Sequence, residues 1–63
     1  LYRGCTGDAV KTLQDKLNTL GYNSGNVDGI FGSKTYAAVL AFQKANGLGA
    51  DGIVGPLTWG KLV

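Results

Sequence analysis

Residues 28–36 read DGIFGSKTY and residues 51–59 read DGIVGPLTW, so a chain of 63 residues writes one phrase twice. The copies start 51 − 28 = 23 positions apart and share Asp, Gly, Ile, Gly and Thr in the same places. Either Asp28 and Asp51 work as a chemical pair, or one structural junction is used twice. The second explanation fits the flanking residues. Pro56 suits the first position of a helix, where no amide donor is needed, which makes Gly55 the N-cap of a helix over PLTWGKLV. Carried across the repeat, Gly32 caps a second helix through SKTYAAVLAFQKAN, with Ser33 its first residue and Thr35 its third. Each DG-x-x-G-x-x-T is then a turn that launches a helix. Gly29 and Gly52 supply positive φ, Ile30 and Ile53 plug into the core, and the aspartates accept bonds from free amides. Asp28, Gly29, Gly32, Thr35, Asp51, Gly52, Gly55 and Thr58 are accordingly junction residues.

A first helix is expected within TGDAVKTLQDKLNTLGY, where Val10, Leu13, Leu17 and Leu20 recur at helical spacing. Thr6 is a suitable N-cap, and Asp8 places a negative charge in the first turn. Lys11 and Asp15 are spaced to pair on the exposed face. Gly21 ends the helix, and Tyr22 falls where a Schellman motif sets an apolar residue against Leu17. Gly47 and Leu48 repeat that ending after the second helix, with Leu48 folding onto Phe42. The expected fold is all-α, a small three-helix bundle in one domain, with Val10, Leu13, Leu17, Leu20, Tyr22, Ile30, Phe31, Val39, Phe42, Leu48, Ile53, Trp59 and Leu62 as core.

The core has no staple to help it. One cysteine excludes an internal disulfide, and the absence of histidine removes zinc sites and Ser–His or Cys–His catalysis. Cys5 is read as a small, partly buried residue, with pairing outside the module as the alternative. Six basic and four acidic residues give a net charge of +2, too small and too scattered for nucleic acid. No apolar run reaches the length of a membrane span, and no signal peptide is expected within these residues.

Two carboxylates also suggest glycoside hydrolysis, but a general acid needs a raised pKa, and bonds from amides lower it. SGNVDGIFGSKT resembles a calcium loop at Asn26, Asp28 and Gly29, yet has Ser24 and Thr35 where the first and twelfth ligands belong. No Walker A loop accompanies the eleven glycines. No cofactor, metal or catalytic residue is expected.

The chain resembles the peptidoglycan-binding domain of bacterial and phage cell-wall hydrolases. The resemblance is carried by V-x-x-L-Q-x-x-L (10–17), L-G-Y (20–22), D-G-x-F-G-x-x-T (28–35), A-V-x-x-F-Q (38–43), G-L (47–48) and D-G-x-V-G-x-x-T-W (51–59). It implies a non-catalytic module, excised from a longer secreted or phage-released protein, that holds an amidase, muramidase, transglycosylase or peptidase on murein at the cell wall. Similar three-helix units serve as pro-segments of matrix metalloproteinases, so a protein–protein role is the alternative. The expected partners are peptidoglycan and the attached catalytic domain, with the module itself a monomer.

Several side chains are candidates for ligand contact. Gln14 and Gln43 sit at the edges of their stripes, where their amides satisfy loop backbone beneath the DG turns; reaching a glycan or stem peptide is the alternative for both. Trp59 either closes the core or stacks on a sugar. Tyr36 and Leu40, four residues apart on the flank of the second helix, form an apolar patch. Beside it, Tyr22, Asn23, Ser24 and Asn26 offer a ring and polar groups for hydroxyls or amides.

Overall fold

The computed structural model describes residues 1–62. Three helices follow one another: α1 (Asp8–Thr19), α2 (Ser33–Ala45) and α3 (Pro56–Leu62). They enclose one core in a body of 27 × 20 × 20 Å. Val63, the last residue of the third helix as read from the sequence, lies outside the described residues. Among the described residues there is no strand, and Thr6 and Ile30 form an isolated antiparallel bridge.

Val10, Leu13 and Leu17 form the buried stripe of α1, with Gln14 on the same face. Ala38, Val39 and Phe42 do the same on α2, with Thr35 and Gln43 beside them. Both helices end in the Schellman pattern. Tyr22 N–H donates to Leu17 O (2.8 Å) and Gly21 N–H to Asn18 O (3.1 Å); Leu48 N–H donates to Gln43 O (2.8 Å) and Gly47 N–H to Lys44 O (3.2 Å). The first reversal sends Tyr22 across to α2, where its ring meets Phe42 edge-on at 5.4 Å. Tyr22 therefore closes the core where Leu20 was expected, and Leu20 is left exposed at the helix end.

The junctions correct the core assignment. Ile30 and Ile53 are 55% and 53% exposed, whereas their neighbours Phe31 and Val54 are buried. Successive side chains of an extended segment point to opposite faces, so only one of each pair can enter. Backbone pairing fixes which. Gly7 N–H donates to Gly29 O (2.9 Å), Phe31 N–H to Cys5 O (2.9 Å) and Gly4 N–H to Phe31 O (3.0 Å). In the second copy, Val54 N–H donates to Leu1 O (2.6 Å) and Leu1 N to Val54 O (2.9 Å). Residues 1–7 thus run across both junctions and turn Phe31 and Val54 inward.

That pairing also moves the start of α1. Thr6 is engaged with Ile30, and Gly7, at φ 120°, is the N-cap with no side-chain cap bond. Gly32 and Gly55 stand as N-caps of α2 and α3: Tyr36 N–H reaches Gly32 O (2.9 Å) and Trp59 N–H reaches Gly55 O (3.0 Å). Leu1, Cys5, Tyr22, Tyr36 and Trp59 pack half-buried around the core. Leu48 is half-buried on the rim of the second junction rather than within the core.

Phe42 is where both helices and the Tyr22 ring meet. Truncating a buried phenylalanine costs about 3–5 kcal/mol, comparable with the whole stability of a domain this small. Phe42→Ala is expected to abolish the cooperative thermal transition followed by far-UV circular dichroism; an unchanged melt would overturn this core.

Candidate functional site

One primary amide organises each junction. Gln14, 1% exposed, projects from α1 beneath the first DG turn. Its Nε2 donates to Asp28 Oδ1 (2.9 Å), Ile30 O (2.9 Å) and Thr35 Oγ1 (3.0 Å), and its Oε1 accepts from Gly29 N–H (3.0 Å). Gln43, also 1% exposed, repeats the pattern from α2. Its Nε2 donates to Asp51 Oδ1 (3.1 Å), Ile53 O (2.9 Å) and Thr58 Oγ1 (3.2 Å), and its Oε1 accepts from Gly52 N–H (3.0 Å). Each aspartate Oδ1 also takes a backbone amide two residues on, from Ile30 or Ile53, at 2.9 Å. Gly29 and Gly52 hold φ 76° and 75°. Gly52 has a second reason to lack a side chain, because the Tyr36 ring occupies the place a Cβ would take.

The outer side of each junction is an open hollow. The first, about 310 Å³, has Gln14, Asp28 and Thr35 at its floor and Asn26, Ser33 and Lys34 among its rim residues. The second, about 230 Å³, has Gln43, Asp51 and Thr58 at its floor and Leu48, Pro56 and Leu57 around it. The hollows are counterparts under the repeat: Ser33 corresponds to Pro56 and Lys34 to Leu57. One floor therefore carries two chemically different rims, the first polar and charged, the second apolar.

The expected contact residues divide accordingly. Asn26 lines the first hollow, and the Lys34 methylenes lie against Gly25, so the 22–26 loop does meet the start of α2. Ser24 lines the same hollow but is buried, its hydroxyl bonded to Gln14 O (3.2 Å) and Asn18 Oδ1 (3.0 Å). Asn23 is exposed and spends its Oδ1 on Gly25 N–H (3.0 Å). Gln43 lines the second hollow, with its amide buried and bonded within the second junction. Tyr22 packs on Phe42, and Trp59 packs half-buried against the core. Tyr36 lies between Gly52 and Arg3, whose guanidinium stands 5.6 Å from the ring centroid and donates to Ser33 Oγ (3.1 Å). Neither Tyr36 nor half-buried Leu40 lines either hollow. The rim residues Ile30, Ser33, Lys34, Pro56 and Leu57 escaped the sequence reading. Differences between the two copies of the repeat mark Ser33, Lys34, Pro56 and Leu57, whereas Ile30 is the same in both.

Family comparison decides what kind of module this is. Residues 6–62 match the model of the family described as "Putative peptidoglycan binding domain". The chain belongs to that family. It is 52% identical over 52 residues to the N-acetylmuramoyl-L-alanine amidase CwlM of Mycobacterium tuberculosis, covering 82% of this chain and 13% of the amidase. A crystal structure of a peptidoglycan-binding protein from Clostridioides difficile, in complex with glutamine hydroxamate, superposes with a TM-score of 0.95 at 55% identity. That match covers 98% of this chain and 39% of the other. The SleB N-terminal domain gives a TM-score of 0.95 at 42% identity, over 98% of this chain and 85% of that one. The chain spans between 13% and 49% of the first curated relatives it matches.

Within this peptidoglycan-binding domain the aspartates are not poised for acid catalysis. The Gln14 amide and then the Ile30 N–H hold the Asp28 carboxyl below its ordinary range, and the Ile53 N–H and Gln43 amide do so for Asp51. A lowered folded-state pKa contributes stability that is present above the ordinary carboxylate value and lost as pH falls through it. Melting temperature is therefore expected to stay level from neutral pH down to about 5 and to drop below about 4, towards the depressed values. In the Asp28→Asn/Asp51→Asn double variant that acid loss should shrink.

The amides carry a second expectation. Gln14→Leu would strand Gly29 N–H, Ile30 O and the Thr35 hydroxyl, and an unsatisfied buried group costs about 1–3 kcal/mol. Urea unfolding should show a loss of about 2 kcal/mol or more, whereas a loss near zero would remove the amide from its organising role.

Proposed function

We propose that this domain is a non-catalytic module that binds peptidoglycan and keeps an attached murein hydrolase on its substrate. The family match over residues 6–62 carries the reading. Family resemblance to chains such as the CwlM amidase and the SleB N-terminal domain supports the attachment to a hydrolase. The exposed surface supports it too: the buried polar groups beneath each hollow are satisfied internally, which leaves the exposed residues around it to meet a ligand.

The physical benefit is effective concentration. A tethered active site beside an insoluble lattice meets its bond without three-dimensional search. Single-module affinity in the millimolar to micromolar range, roughly −4 to −8 kcal/mol, is enough on a polymer that repeats its epitope. The site of action is the cell wall, outside the membrane, in a secreted or phage-released parent protein. Asn26 and the other rim residues of the first hollow are the leading contacts, and Asn23 stands exposed beside them.

Co-sedimentation with purified insoluble murein tests this, run beside chitin and cellulose. The domain should pellet with murein and stay in the supernatant with the other two. Failure to pellet with murein would reject the function.

A further inference from the structure

The first hollow carries charges of both signs. Asp28 and Lys34 both line it. The Asp28 carboxyl is held ionised by Gln14 and Ile30, not by Lys34. Its hydrogen bonds converge on Oδ1, which leaves Oδ2 as a free acceptor. The Lys34 stem is laid along Gly25, since a Cβ there would meet Lys34 Cδ at 2.9 Å. A flexible lysine is thus steered to the rim of a hollow whose floor holds a fixed carboxylate. The second hollow keeps the aspartate, as Asp51, but has 77% exposed Leu57 in place of the lysine.

We propose that the first hollow binds a zwitterionic α-amino-acid group, an ammonium and a carboxylate on one carbon, with Lys34 taking the carboxylate and Asp28 the ammonium. In murein this group is the free end of a diaminodicarboxylic acid residue, such as meso-diaminopimelate, in an uncrosslinked stem peptide. The assignment rests on the wall-binding reading and makes the stem peptide, rather than the glycan, the part recognised at this hollow. Two opposite charges favour such a group over a simple carboxylate, which Asp28 repels, and over a simple amine, which Lys34 repels. Cross-linking through that amine, or amidation of that carboxylate, removes one half of the match. The domain therefore prefers uncrosslinked wall. The second hollow lacks the cation and does not bind the zwitterion.

The test is titration of the 63-residue domain, followed by amide chemical shifts, with soluble tetrapeptides. One carries meso-diaminopimelate at its third position, a second its ω-carboxamide, and a third L-lysine, which lacks the carboxylate. The first should shift Gly25, Asn26, Ser33 and Lys34 and bind roughly fivefold or more tighter than the other two, the scale of an exposed charge pair with hydrogen bonds. Lys34→Leu should remove that discrimination with an unchanged melt, and Lys34→Arg should retain it. Leu57→Lys should raise the stoichiometry from one peptide towards two. Free meso-diaminopimelate bears the same group without the chain. Tighter binding of the peptide assigns the source to the wall, equal binding assigns it to the free amino acid, and both support the site. Equal affinity for all three peptides, or an unaltered Lys34→Leu variant, overturns the proposal even if the domain still pellets with murein. Failure to pellet overturns the wall-binding reading instead.

Discussion

The buried primary amide of Gln14, repeated at Gln43, is the constraint on which the rest of the structure depends. A glutamine in the interior of a small domain is costly unless every valence is used. Here the two N–H bonds of each amide are shared among three acceptors and its oxygen accepts once, tying one helix to a turn, to the extended residue after it and to the start of the next helix. Among the described residues, no buried side-chain polar atom lacks a partner. With a single cysteine in the chain, this network does what a cross-link would do elsewhere: it fixes the junction relative to the helix beneath it. The bonds are local in direction, so they specify one geometry where hydrophobic burial alone would accept several.

Beyond the helix α2 that both junctions share, residues 1–7 and Tyr36 tie the two together. The amino-terminal segment pairs with Phe31 in one copy and with Val54 in the other, which turns both side chains into a shared core. Tyr36 leaves the first junction on α2 and lays its ring on Gly52 of the second. The repeat therefore explains the floors, and the non-repeated residues help tie them into one domain. Among the positions that differ between the copies, Phe31 against Val54 is buried in the core, whereas Ser33 against Pro56 and Lys34 against Leu57 are exposed and set the chemistry of each rim.

Much of this was legible in the sequence because it depends on local rules. Helical spacing of Val10, Leu13 and Leu17, the glycine reversals at Gly21 and Gly47, and Pro56 after Gly55 all act within a few residues. The glutamines were also readable as partners for loop backbone, since an amide beside a turn has donors and acceptors to satisfy. The errors arose where distant chain decides. Ile30 and Ile53 are as apolar as a core residue should be, and only pairing with residues 1–7 shows that Phe31 and Val54 take the interior. Thr6 is a good cap by composition, but it is held opposite Ile30 by the bonds of its neighbours Cys5 and Gly7, leaving Gly7 at the helix start. Tyr36 and Leu40 have the spacing of a surface patch, and the ring is instead drawn to a glycine sixteen residues further along.

The arrangement also bears on how a weak binder stays specific. A hollow whose floor is held by satisfied amides needs little ordering when a ligand arrives, so less of the contact energy is lost to immobilising the protein. Apart from the Asp28 carboxylate the floor offers the ligand no unpaired group, so preference is set by that carboxylate and the rim. A change such as Lys34 to the leucine of the second copy then alters what is bound without disturbing what is folded. That independence has a limit at Asp28, which serves both sides at once. Its Oδ1 belongs to the junction and its Oδ2 faces the hollow, so any substitution there mixes a folding effect with a binding effect. Separating the two requires that stability be measured alongside affinity for every variant of that carboxylate, whereas Lys34, which enters no hydrogen bond of the junction, reports on recognition by itself.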